Sequence, residues 1–440
     1  MRIIRFQIVC LIVILSILSG SVVCRAEYDY IDITNPFLRK IPIAIPVFNN
    51  MLSGATTDQT AQQASDLLAE TLEFTGYFKI LDREAFLADP QSDPISSVVN
   101  FQNWTGIGAE LLITGGILII DNLVEMELRL YDTFKEQLLV GKRYKGWQDD
   151  QRKMIRRFCS EAIYVLTGDR GFFNSEIAFV STGSGNKEIY ICEFDGHNSR
   201  KVTNTKSITL SPAWSSDGKW IAYTSYVNGK PDLYIKNLKA KRGAVISKEG
   251  INTSPAWVPG QFALAATLSF SGDPEIYLLT GTGKIIKRLT YSWGIDVSPT
   301  WSPDGKKMAF VSKRSGTPQI YTKNIDTGRT ERLTFLGRYN TQPDWSPRGD
   351  KIAYSAIQNG QSNIWVIGVD GKDPVQLTQN QGDNEAPTWS PDGSLIVFSS
   401  NREGSSRIYV MTAYGTDQRR LLTLPGEQTE PKWSPRVINK

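Results

Sequence analysis

Six copies of one short phrase constrain this chain more than any other feature. Pro-x-Trp recurs as Ser211-Pro212-Ala213-Trp214, Ser254-Pro255-Ala256-Trp257 and Ser298-Pro299-Thr300-Trp301, then as Gln342-Pro343-Asp344-Trp345, Ala386-Pro387-Thr388-Trp389 and Glu430-Pro431-Lys432-Trp433. Successive Trp residues stand 43 or 44 positions apart. So regular a period means repeated supersecondary units, and a period of roughly 40–45 residues built from short strands is that of a propeller blade.

Each unit repeats the same internal order. A turn follows the Trp, as in Ser302-Pro303-Asp304-Gly305 or Ser390-Pro391-Asp392-Gly393; Asp-Gly supplies the positive φ that a tight hairpin needs. Short apolar strands follow, such as Ile352-Ala353-Tyr354 and then Asn363-Ile364-Trp365-Val366, and a fourth strand is expected to end in Leu-Thr, as at Leu289-Thr290 and Leu333-Thr334. Five units are complete. Ahead of Trp214 lies a unit without a Trp, through Ile177-Ala178-Phe179-Val180 and Glu188-Ile189-Tyr190-Ile191, while little chain follows Trp433. The last strand is therefore expected to complete the first unit, giving a six-bladed ring over 171–440. The Trp, Asp and Gly are assigned to packing and turns. Trp257-Val258-Pro259-Gly260 lacks the Asp and Ser346-Pro347-Arg348-Gly349 carries Arg instead, which disfavours chemistry requiring that Asp in each blade.

Residues 1–26 have the pattern of a secretory signal: Arg2 and Arg5, an apolar run from Ile8 to Leu18, and Cys24-Arg25-Ala26 with cleavage expected after Ala26. That run is short for a membrane span, so no span is expected in the mature chain. Removing three Arg takes the net charge from +4 to about +1. A nearly balanced total argues against a nucleic-acid or polybasic membrane binder. Cys159 and Cys192 remain and are expected as buried free thiols.

Residues 27–170 are expected to form a small α/β domain. Ile41 to Phe48 is expected as a strand placed near an edge by its prolines, Thr57 to Thr75 as a helix, Phe78 to Leu81 as a strand and Trp104 to Ala109 as a short helix. Leu111 to Ile120, Val124 to Tyr131 and Gln137 to Tyr144 form a meander, and Asp149 to Thr167 a helix stopped by Gly168. Chemistry is sparse. The single histidine, His197, sits in an Asp-Gly-His-Asn turn; there is no Gly-x-Ser-x-Gly elbow; Gly281-Thr282-Gly283-Lys284 lacks the spacing of a phosphate loop. No catalytic residue, cofactor or metal site is assigned.

Signal, α/β domain and six WD40-like Pro-x-Trp blades, in that order, resemble the TolB family of soluble periplasmic proteins of the Tol-Pal system. The likeness runs over the whole chain and is most specific at Leu166-Thr167-Gly168, Gly171-Phe172, Ser211 to Gly218 and Trp433-Ser434-Pro435. It implies a monomeric, non-enzymatic adaptor that supports outer-membrane integrity and constriction at division. Its propeller would bind the lipoprotein Pal through loops before Pro-x-Trp, here Ile251, Asn252, Thr253, Asp296, Val297, Asn340, Thr341, Asn384 and Glu385. Its mature N-terminal arm would engage TolA, here Glu27, Tyr28, Asp29, Tyr30, Ile31, Asp32, Ile33 and Thr34. Other envelope proteins are further candidate partners. The competing classes are a lyase-like propeller enzyme, which would draw metal ligands from several histidines, and a small-ligand sensor using the ring's channel.

Overall fold

The computed structural model describes residues 39–51, 58–86, 99–240 and 242–436; the signal segment and the arm at 27–34 lie outside them. All described residues belong to one compact unit.

The N-terminal layer is a mixed sheet with helices packed on it. It contains β1 (Ile41–Ala44), β2 (Asn49–Asn50), α1 (Asp58–Glu73), β3 (Phe78–Ile80), α2 (Phe101–Gly106), β4 (Leu111–Ile120), β5 (Leu123–Asp132), β6 (Gln137–Trp147) and α3 (Gln151–Thr167). The main strand order is β3-β1-β4-β5-β6, with β2 beside β4. The meander and both long helices follow their apolar periodicity: Leu68 and Leu72 of α1 and Ile155, Phe158 and Ala162 of α3 are buried in one cluster. Gly168 ends α3 with φ 77°, a left-handed cap that a Cβ would strain.

Three expectations are corrected here. The first strand stops at Ala44 and does not run to Phe48. Nor is it an edge: β1 lies between β3 and β4. Pro42 is tolerated there because Ile41 donates its N–H to Tyr77 on the β3 side, while Pro42 offers its carbonyl to Glu110 N–H just before β4 begins. The missing donor thus falls at the end of the β4 ladder. The short helix starts at Phe101, earlier than expected, because Asn100 caps it: its side chain accepts from Gln102 N–H at 3.2 Å.

The propeller has six four-stranded sheets. Five are continuous in sequence, with inner strands Thr209–Trp214, Asn252–Trp257, Asp296–Trp301, Tyr339–Trp345 and Asn384–Trp389. In the sixth, the final strand Gln428–Trp433 pairs antiparallel with Glu176–Ser181 and takes the inner place. Pro-x-Trp belongs to the inner strand, whose free side faces the channel, so proline costs no ladder bond. The residue before each Pro (Ser211, Ser254, Ser298, Gln342, Ala386, Glu430) is left-handed, with φ between 49° and 53°, and each marks a bulge in the pairing with the second strand. The Leu-Thr pairs lie just beyond the outer strands. Leu289 N–H reaches Ile276 carbonyl, while Thr290 hydroxyl accepts from Ile276 N–H and donates to buried Glu275 at 2.5 Å.

The Trp residues stitch blade to blade. Trp257 packs with Ala213, Leu233 and Ile235 of the preceding blade. Its indole N–H donates to the Ala213 carbonyl at 3.2 Å; Trp301 does the same to Ala256, Trp389 to Asp344 and Trp214 to Lys432.

The layer seats on the Trp389 and Trp433 blades, at the end of the ring bearing the Ser-Pro-Asp-Gly turns. Arg152 reaches Asp195 at 2.5 Å and Arg156 pairs with Glu193. Phe74, Phe172 and Phe194 pack edge-to-face or steeply tilted with ring centroids 5.4–5.9 Å apart, and Phe172 lies 5.7 Å from Trp433. Arg419 donates to the Phe74 carbonyl at 2.6 Å.

Candidate interaction face

The opposite end of the ring carries the loops that lead into each inner strand and those joining second to third strands. The nine positions expected there as loop residues are mostly not loop residues. Only Ile251 precedes its strand; Asn252, Thr253, Asp296, Val297, Asn340, Thr341, Asn384 and Glu385 are all strand residues. Asn252, Asp296, Asn340 and Asn384 are fully buried. Thr253, Val297 and Thr341 are half-buried, and Ile251 and Glu385 exposed.

The buried four fasten the loops from beneath. Asn252 donates to the Lys248 carbonyl at 2.8 Å and accepts from Lys248 N–H at 3.2 Å. Asn340 bridges the Leu336 carbonyl and Gln319 at 2.8 Å each. Arg402 holds Asn384 at 2.9 Å, and Arg314 holds Asp296 at 2.7 Å. Burial pushes the Asp296 carboxyl above its ordinary range despite that arginine and Ser312. Thr253 faces the preceding blade, its hydroxyl 3.1 Å from that of Thr224. Glu385 keeps much of its surface open to solvent, yet desolvation of its carboxyl by the packed strands, with neighbouring Asp383, raises it likewise.

What these anchors present is apolar. Trp293 is 94% exposed, Tyr291 72% and Phe335 70%, with Leu336, Tyr339 and Phe270 also exposed on the same end. Two aromatics are braced by cations from the outer strands: Arg288 lies 4.6 Å over the Tyr291 ring and Arg332 4.8 Å over Phe335. The loop at 379–383 is polar instead, Gln-Asn-Gln-Gly-Asp. The face is thus a crescent of exposed apolar side chains, two of them braced by arginines, beside a polar sector, a composition suited to an interaction surface. The sequence held a signal for it: aromatics directly after Leu-Thr, where a turn should be polar.

The remaining candidates show no arrangement for chemistry. His197 is an exposed turn residue 3.3 Å from Asp195. Cys159 and Cys192 are buried and free, as expected, and burial raises both thiols far above their ordinary value. Gly281 to Lys284 is a hairpin turn between strands Glu275–Thr280 and Ile285–Arg288. No helix among the described residues is long and apolar enough to cross a membrane.

A six-bladed propeller closed by its last strand, fused to an α/β layer and bearing an apolar loop face, defines the class: a propeller scaffold with an amino-terminal domain. Residues 164–437 match the TolB beta propeller domain family and residues 29–139 the TolB amino-terminal domain family. The chain belongs to the TolB family. The crystal structure of TolB from Acinetobacter baumannii is similar with TM-score 0.78 and 27% identity, over 90% of this chain and 97% of that one. The Tol-Pal system protein TolB of Desulfosudis oleivorans is 59% identical over 270 residues, 61% of this chain and 62% of the relative. A TolB homolog of Chlorobaculum tepidum is 42% identical over 254 residues, 57% of each chain. The aligned part spans about half to three-fifths of these relatives' length.

Proposed function

We propose that this chain is a non-enzymatic periplasmic adaptor of a Tol-Pal system. In this reading the propeller's loop face binds the lipoprotein Pal. The arm Glu27–Thr34 engages TolA, and the assembly supports outer-membrane integrity and constriction at division. The observation that carries it is the crescent of Tyr291, Trp293, Phe335 and Leu336, an exposed aromatic surface in which Arg288 and Arg332 brace Tyr291 and Phe335 and Asn340 fastens the Leu336 loop. Relatives bearing the name Tol-Pal system protein TolB support the choice of system. The arm alternates Tyr and Ile with acids, a pattern suited to adding a strand to a partner's sheet edge.

The test is capture of purified Pal by the chain with Trp293→Ala and Phe335→Ala together. Loss of at least about tenfold in affinity with unchanged melting is expected for central aromatic anchors. Wild-type affinity in the folded variant would remove the loop face from this role. Deleting 27–34 should abolish TolA capture and spare Pal capture.

A further inference from the structure

The ring's outer wall is not uniform. In four blades the outermost strand has only two or three residues: Arg200–Lys201, Thr330–Arg332, Arg419–Arg420 and Val375–Gln376, the last with Val375 53% exposed. Charge and brevity are how exposed edges are protected. The Trp214 and Trp257 blades differ. Their outermost strands, Gly243–Ile246 and Ile285–Arg288, have four residues each; they present Val245, 54% exposed, and the pair Ile285 and Ile286, the latter 52% exposed, ahead of Lys287 and Arg288.

Ile285, opposite Leu279, and Phe262 lie in one groove between these two blades, whereas Val245, opposite Tyr234, faces the preceding blade. A Cβ on Gly283 of the second blade would sit 2.7 Å from Ile246 of the first, so the turn at 281–284 abuts the first blade's outer strand. The same turn covers exposed Phe262, whose ring would lie 2.4 Å from a Cβ on Gly281 and is 5.2 Å from the ring of Trp220. Exposed bases surround this surface: Lys219, Lys239, Arg242, Lys284 and Lys287. Lys219 has one acid at hand, Asp217 at 3.9 Å. The exposed acids of the two blades' other loops, Glu249 and Asp273, lie at the opposite ends of the strands, in the loops leading to the candidate interaction face. The near-zero total charge therefore conceals a local clustering of bases along this apolar wall.

We propose that this wall docks on an anionic lipid bilayer. Protruding Ile and Phe side chains bordered by Lys and Arg combine the two terms of interfacial binding, apolar insertion and attraction to anionic headgroups. Strand addition by a polypeptide is disfavoured by a bulge between Leu278 and Leu279, which leaves Ile286 out of register on the very edge a strand would need. The bulge does not hinder insertion of the side chain. The wall is separate from the Trp293 crescent, so its role stands or falls independently of Pal binding.

The experiment is co-flotation of the exported, processed chain with vesicles of phosphatidylcholine alone and of phosphatidylcholine mixed with phosphatidylglycerol. Binding is expected only to the mixed vesicles, and to weaken at high ionic strength. Each basic side chain at such a surface is worth about fivefold in affinity. Lys284→Glu with Lys287→Glu should therefore weaken binding by more than about tenfold. Ile285→Ser with Ile286→Ser should also release the protein, with melting and Pal capture retained in both. No preference for the anionic vesicles, or equal binding by both folded variants, would overturn the proposal. Salt-sensitive binding to soluble poly-glutamate without vesicle binding would overturn it too, and reassign the wall to an acidic polypeptide.

Discussion

Trp433 donates its indole N–H to the hydroxyl of Ser175, 2.7 Å away and 258 positions earlier in the chain. Beside it, Ser434 hydroxyl accepts from Glu176 N–H at 2.9 Å. These bonds, with the strand pairing Trp433↔Ile177, close the ring. Trp433 also belongs to the core cluster that contains Phe158 of α3 and Phe173. One residue thus joins ring closure to the seat of the α/β layer.

Removing 429–440 should open the sixth blade and expose the edge of Glu176–Ser181. Aggregation or loss of a single cooperative melting transition is expected, measured by calorimetry and light scattering. Trp433→Ala should cost about 3–5 kcal/mol of stability. A truncated chain that stays monomeric and melts as the intact one does would contradict the closure described above.

Asn252 is an anchor under a loop, so its substitution should act through folding. Asn252→Ala removes its bonds to the Lys248 backbone and empties a fully buried side-chain site. A loss of about 1–3 kcal/mol is expected from denaturant titration. Thr253→Ala, half-buried, should cost less.

The junction should be acid-sensitive. Burial opposes ionisation of Glu193, but Arg156 and Arg152, with Asn198, outweigh it and hold the carboxyl below its ordinary value of 4.5. An acid with a depressed folded value contributes stability that is complete above the unfolded value and is lost as pH falls through the folded one. The layer should therefore loosen below about pH 4.5, where Arg152 and Arg156 lose their partner. Arg156→Ala should cost about 3 kcal/mol by leaving Glu193 and Asp195 under-compensated, and weaken this pH dependence. Melting temperature against pH for both proteins checks it.

Cys159 and Cys192 should resist a thiol reagent in the folded chain and react only on unfolding. Both are buried with thiols raised well above their usual value, so little thiolate exists at neutral pH. Stoichiometric labelling under native conditions would show that the core opens locally.

The repeat alone determined the blades, their number and the closing strand. A 43–44-residue period fixes where each strand and turn must fall, and those are local choices of alternation and turn chemistry. The long helices and the meander were legible for the same reason. Pro42 was not: whether a strand is central depends on which segments flank it, and β4 begins at Leu111, 70 residues after β1 begins at Ile41, at a point no local pattern announces. The binding face divided along the same line. The sequence placed the loops near each Pro-x-Trp, but side chains one residue apart on a strand point to opposite faces. Burial of Asn252 and Asn340, and exposure of Trp293, followed only from how neighbouring blades pack. The meeting of Arg152 and Arg156 with Glu193 and Asp195, and of Ile246 with Gly283, likewise rests on contacts between separate blades or layers. Tertiary packing alone decides these contacts.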